Sequence, residues 1–179
     1  MGTTASIRMH FSRERHARWA MHVAEEMLKL LYAPEDLPWP EQAGEDPPLS
    51  ARWLRRREEA AALPLDPQGT ALQWLRRQRT WVCIDRCQDI APYNHVDDPQ
   101  ALFPQLCFAC ALRFPQVPFE AFYRCEMTVS GDIRLIRMRY DGAVLHAQTN
   151  SGTRPMDEDD WRAVPVHDYA ARDGEFRRI

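Results

Sequence analysis

The stretch from Phe119 to Thr149 constrains this chain more than any other. Phe119, Ala121, Tyr123 and Cys125 alternate with Glu120, Arg124 and Glu126, a period of two that suits a half-buried strand and not a helix. A Ser130-Gly131-Asp132 turn leads into a second strand, Ile133 to Tyr140. Asp141-Gly142 then reads as a two-residue hairpin turn, and Ala143 to Thr149 returns. Residues 119–149 are thus expected to form a three-stranded antiparallel meander with one buried face. A slip of one residue would turn that whole apolar set toward solvent, so the register is fixed by the pattern.

Elsewhere the pattern mixes strand and helix. Ile7, Met9 and Phe11 alternate with Arg8 and His10, predicting a strand over 6–11. Ser12 stands as a helix N-cap before an apolar stripe of Ala20, Val23, Ala24, Met27, Leu30 and Leu31. Residues 33–49 carry five prolines and only acidic charge, and read as a long acidic loop. Residues 50–79 read as an Arg-rich helical hairpin. Ser50 caps its first helix, Thr70 opens its second, and Trp53-Leu54-Arg55-Arg56 is echoed by Trp74-Leu75-Arg76-Arg77. A strand at 80–85 and a buried helix at 106–114 follow, with Pro99 and Pro104 suited to first helical positions. The order predicts one α+β domain over 1–179. Its sheet is mainly antiparallel, of about five strands, with helices on one face and an inserted helical hairpin.

Phe114-Pro115, the strand Phe119-Glu120-Ala121-Phe122-Tyr123 and the turn Tyr140-Asp141-Gly142 resemble the ferredoxin-like domain of YubB-type proteins from phages and plasmids. The likeness runs from His95 to Thr149, under a third of the chain. The Trp- and Gly-rich centre of that family is missing here, and the Arg-rich hairpin has no counterpart in it. The resemblance implies a ferredoxin-like variant of the sheet and an accessory role on a mobile element, and it brings no catalytic residues.

Charge narrows the function classes. A net charge of −3 and a pI near 6.1 exclude a generally basic nucleic-acid coat, and the acidic surface is too sparse for a DNA mimic. No apolar run is long enough for a membrane span and no secretory h-region follows Met1, so a cytoplasmic protein is expected. Five cysteines, an odd number, fit free thiols in a reducing compartment.

Cys83-x3-Cys87 and Cys107-x2-Cys110 are the secondary candidates for zinc. They lie in apolar segments rather than on Gly-containing knuckles, which favours buried thiols. His95, Asp97 and Asp98 offer imidazole and carboxylates, although Asp97 or Asp98 equally suits an N-cap before Pro99. No nucleophile elbow or phosphate-cradling loop is present, and no cofactor is expected. The strongest charge signal is Arg52, Arg55, Arg56, Arg57, Arg76, Arg77 and Arg79, interleaved with Trp53 and Trp74. That set is either a partner surface or a basic face answered by the acidic loop before it. Trp39, between Pro38 and Pro40, is either an aromatic tucked onto the protein's own core or a candidate interface anchor. The leading expectation is a non-enzymatic interaction protein, a bacterial or phage/plasmid accessory factor of inhibitor or immunity type that binds another protein. The alternative is a nucleic-acid-associated protein using the Arg hairpin, and third comes a small metal-dependent hydrolase.

Overall fold

A computed structural model describes residues 3–31, 47–63, 70–88, 90, 95–127 and 129–179. In chain order the elements are β1 (Thr3–Phe11), α1 (Glu14–Leu31), α2 (Leu49–Ala62), α3 (Thr70–Trp74), β2 (Leu75–Gln78) and β3 (Trp81–Cys87). There follow α4 (Leu102–Arg113), β4 (Phe119–Met127), β5 (Ile133–Tyr140), β6 (Val144–Gly152), α5 (Glu158–Arg162), β7 (His167–Arg172) and β8 (Glu175–Arg178). No helix among the described residues is long and apolar enough to cross a membrane.

The strands form one open sheet of eight, ordered β2-β3-β1-β4-β5-β6-β7-β8, and every neighbouring pair is antiparallel. This overturns the expected ferredoxin-like sheet of about five strands. Two of the additional strands are the β7–β8 hairpin, whose Asp173-Gly174 turn places both residues at positive φ. The third is β2, cut from the second half of the expected helical hairpin. The helix opened by Thr70 stops at Trp74, and Leu75-Arg76-Arg77-Gln78 extends to pair with Ile84-Cys83-Val82-Trp81. Intrinsic helix preference is a weak force over five residues, and a hairpin ladder with the adjacent strand outweighs it. Arg79 turns that hairpin with φ 52.

β1 lies between β3 and β4 and sets the core. Its Ala5, Ile7, Met9 and Phe11 are buried on the same face as Val82 and Ile84 of β3 and Ala121 and Tyr123 of β4. The face continues through Ile136, Met138 and Tyr140 of β5, Leu145 and Ala147 of β6, and Tyr169 of β7. Three helices cover it. α1 contributes Ala20, Val23, Ala24, Met27 and Leu28, and α2 contributes Trp53 and Ala60. Ten residues of α4, Leu102 through Ala111, are buried. Phe103 packs on Tyr123 at 5.5 Å between ring centres, and Phe108 stacks on Phe176 at 5.3 Å.

Several local expectations shift. Pro48, not Ser50, stands at the N-cap of α2. The Ser50 hydroxyl instead donates to Gln105 Oε1 at 2.6 Å, tying α2 to α4. α1 opens at Glu14 with the Arg13 carbonyl accepting from His16 and Ala17, without a Ser12 cap bond. Pro104 falls inside the first turn of α4, while the Pro99 carbonyl accepts from Leu49 N–H. The β5–β6 turn is displaced by one residue. Asp141 N–H donates to the Val144 carbonyl, which leaves Gly142-Ala143 as the two turn residues with Gly142 at φ 105. Glycine is required there, because that φ is unfavourable for an L side chain and the Gln116 backbone lies 3.4 Å from where a Cβ would stand.

Tyr123 is 1% exposed at the centre of this face. Tyr123→Ala should lower unfolding free energy by about 3 kcal/mol or more through the cavity it leaves, whereas Tyr123→Phe should cost about 1 kcal/mol. Urea unfolding of the two variants measures both. A Tyr123→Ala midpoint equal to that of the parent would contradict the assignment of this face as the core.

Candidate functional site on the open sheet face

The alternate residues of every strand point away from the three covering helices. From β2 to β6 this second face carries Arg76, Cys83, Asp85, Arg8, His10, Glu120, Phe122, Arg124, Arg137, Arg139, His146 and Gln148. It is polar where it meets solvent. Arg8 pairs with Asp85 at 3.6 Å and Arg124 with Glu126 at 2.6 Å.

Part of the face is covered by α5 and its flanking chain. Asp157 caps α5 in a capping box with Asp160, and Arg154 grips the Asp160 carboxylate through two nitrogens at 2.7 Å. Two contacts hold this strap down. The Gln148 amide donates to the carbonyls of Trp161 at 2.8 Å and Val164 at 3.0 Å. Arg137, 8% exposed, donates to Glu120 at 2.6 and 2.8 Å and to Glu158 at 3.0 Å. Its guanidinium lies between the rings of Phe122 at 5.8 Å and Trp161 at 5.9 Å. Burial would drive the Arg137 proton off, but the two carboxylates more than offset it and its pKa rises further.

Between the strap and the β2–β3 hairpin lies a groove of about 1110 Å³. Phe122 and Leu135 lie along its floor, with Pro155, Met156 and Trp161 on the strap side and Trp74 and Arg76 on the other. Trp74 is 42% exposed, and the Arg76 guanidinium sits 5.4 Å from its ring centre. Arg8, Arg76 and Arg124 face Asp85, Glu126, Asp157 and Glu158 around the groove, three cationic side chains against four anionic ones.

The sequence-derived candidates are dispersed by this architecture. Arg76 alone of the arginine set reaches the groove. Arg77 turns to the helical side and binds Glu14 at 2.8 Å, Arg79 occupies the turn, and Arg52 contacts Gln100. Arg56 pairs with Glu59, while Arg55 and Arg57 are exposed on α2. Trp53 is 1% exposed with its ring N–H on Glu26 at 3.0 Å, so it is a core residue and not a stacking platform. The single basic hairpin surface is therefore corrected to scattered arginines on two faces. Trp39 and residues 33–46 of the acidic loop lie outside the described residues, and so does any masking of the arginines by that loop.

The thiols of Cys87, Cys107, Cys110 and Cys125 are buried and Cys83 is half-buried, and no disulfide joins any of the five. Burial drives Cys107 and Cys110 far above the ordinary thiol range, and burial with the nearby Asp85 charge raises Cys83. No group of three or more His, Cys, Asp or Glu converges on a metal-sized site among the described residues. Asp97 accepts from the Tyr169 hydroxyl at 2.6 Å, and Asp98 accepts from Gln100 N–H at 2.8 Å. Asp97 thus ties the segment before α4 to β7, and Asp98 serves a local turn. No family model, no curated protein and no solved structure matches the chain.

A feature of this face with no forecast from sequence is His146. Its Nδ1 lies 2.7 Å from Asp168 and its Nε2 3.1 Å from Asp141, clamping β6 to β7 and to the β5–β6 turn. Burial lowers the imidazole pKa, but the hydrogen bonds to Asp168 and Asp141 outweigh it and the net shift is upward from 6.5. Backbone N–H of Val144, then His146, then Ala143 N–H hold Asp141 down at about 2 from 3.8. Arg139, paired across from His146 on β5, adds a positive charge beside it, and Glu120 lies across from Arg139 on β4. The clamp contributes fully below pH 6.5, where the unfolded imidazole is also charged, and fades as pH rises through the higher folded value. At the acid end it fades as pH falls from 3.8 toward about 2. The stability advantage of the parent over His146→Gln should therefore be greatest between pH 3.8 and 6.5 and shrink above it. Denaturant titrations across pH test this, and an advantage that grows above neutrality would sink it.

Proposed function

We propose that this chain is a non-enzymatic interaction protein of inhibitor or immunity type, and that it binds another protein through the groove on the open sheet face. The observation that carries the reading is the lining of that groove. An apolar floor and an exposed Trp74 backed by Arg76 supply the residue types that dominate protein interfaces. The balance of three arginines against four carboxylates suits a protein surface of mixed charge. It is a poor match for a phosphate backbone, which needs an uncompensated cationic track. The nucleic-acid reading depended on the arginines of residues 50–79 acting as one surface, and those residues are spread over two faces.

Trp74 and Arg76 lie at the surface, so Trp74→Ala with Arg76→Glu should leave the melting temperature nearly unchanged. A lysate of the source organism passed over immobilised parent and double variant provides the test. The expected result is a protein retained stoichiometrically by the parent, resistant to nuclease and lost with the variant. Retention of nucleic acid, released by nuclease or by a moderate rise in salt, would instead establish the alternative.

A further inference from the structure

β2 is an edge strand, with β3 along one side and no described strand along the other. One hydrogen bond fixes where its remaining backbone groups point. Phe11 N–H donates to the Thr80 carbonyl at 3.0 Å, so the bonds of β3 to β1 run through Thr80, Val82 and Ile84. Trp81 and Cys83 therefore bond the other way, to Gln78 and Arg76 of β2. Arg77 is left directing its N–H and C=O, and Leu75 its C=O, away from the sheet, while the Leu75 N–H closes the last turn of α3 on the Ala71 carbonyl.

The side chains give this edge a charge preference. Arg77 is already engaged by Glu14 at 2.8 Å. Arg76, stacked on Trp74, and Arg79 in the turn are exposed, and neither has a carboxylate partner among the described residues. From these features we infer that β2 accepts an added strand, an extended acidic segment of the partner protein. Its backbone bonds to Leu75 and Arg77, and its carboxylates meet Arg76 and Arg79. Strand addition draws affinity from main-chain bonds and specificity from alternate side chains. The inference rests on the protein-binding reading above and specifies the edge by which the partner enters the groove.

Arg77→Pro is the decisive variant. The Arg77 N–H points outward, so proline removes no bond to β3, and edge strands tolerate proline. Arg77→Ala loses the same ion pair with Glu14 but keeps the N–H. A displayed library of random peptides is selected against the full chain, and the best binders are synthesised. They are expected to be acidic at alternate positions, to bind the parent and Arg77→Ala alike, and to weaken roughly tenfold or more on Arg77→Pro. Amide exchange at Arg77 of the parent should slow by roughly tenfold or more when the peptide binds. The Arg76 and Gln78 amides should be protected from the start. The exchange experiment decides the matter even if Arg77→Pro fails to fold. Peptides that leave the Arg77 amide unprotected yet are abolished by Trp74→Ala overturn the strand addition and keep the groove. Failure to select any peptide sensitive to Trp74 or to Arg77 overturns both.

Discussion

Arg137 is the residue on which the open face depends. A guanidinium this deeply covered is costly unless its donors are met, and breaking such a pair leaves a charge without compensation. Here Glu120 from the neighbouring strand and Glu158 from α5 meet it, with Phe122 and Trp161 on either side. One of the two carboxylates comes from outside the sheet, so satisfying Arg137 requires α5 to lie against the strands. The capping box of Asp157 and Asp160 makes a five-residue helix worth forming, and Gln148 fastens its end. The strap thereby becomes a wall, and the groove exists because the wall stops short of the β2–β3 hairpin.

The fold was legible in the sequence wherever burial had one side. Phe119, Ala121, Tyr123 and Cys125 alternate because one face of β4 is covered and the other is not, and period two survives intact. β7 and β8 are different. His167-Asp168-Tyr169-Ala170-Ala171-Arg172 offers a single large apolar residue to the core, so alternation is faint, yet Asp173-Gly174 is a hairpin signal that would have found them. β2 had no such signal. Trp74-Leu75-Arg76-Arg77 looked helical because it copies a helical segment at Trp53-Leu54-Arg55-Arg56, and its strand state comes from pairing with β3. A local pattern cannot report a ladder whose other half lies beyond a turn.

The candidate site was less legible, for a geometric reason. A run of arginines counts as one patch only if the backbone keeps the side chains together. In a strand, consecutive residues point to opposite faces, so Arg76 and Arg77 part company: one stacks on Trp74 and the other crosses to Glu14 on α1. The strap carries a run of four acids, Asp157-Glu158-Asp159-Asp160, but a charge run by itself reads as a solvated face and does not say what it covers. The role of the strap follows from contacts with Arg137 and Gln148 some distance away in sequence. The cysteines, by contrast, were readable from their neighbours, since Leu106, Phe108 and Ala109 can hardly flank Cys107 and Cys110 unless the helix is buried.

An eight-stranded sheet with helices on one side must still deal with its second face, and this chain uses two solutions side by side. Toward β5 and β6 it lays a strap over the strands and buries Arg137 and the strap's own Trp161 between them. Toward β3 and β1 it leaves the face to water and neutralises it with the Arg8–Asp85 pair across adjacent strands. Each solution is complete within its own territory. Where they meet, over Phe122 and Leu135, the floor is apolar but the strap does not reach it, and Trp74 stands exposed on the far bank. The position of the groove is therefore a consequence of how the second face is divided.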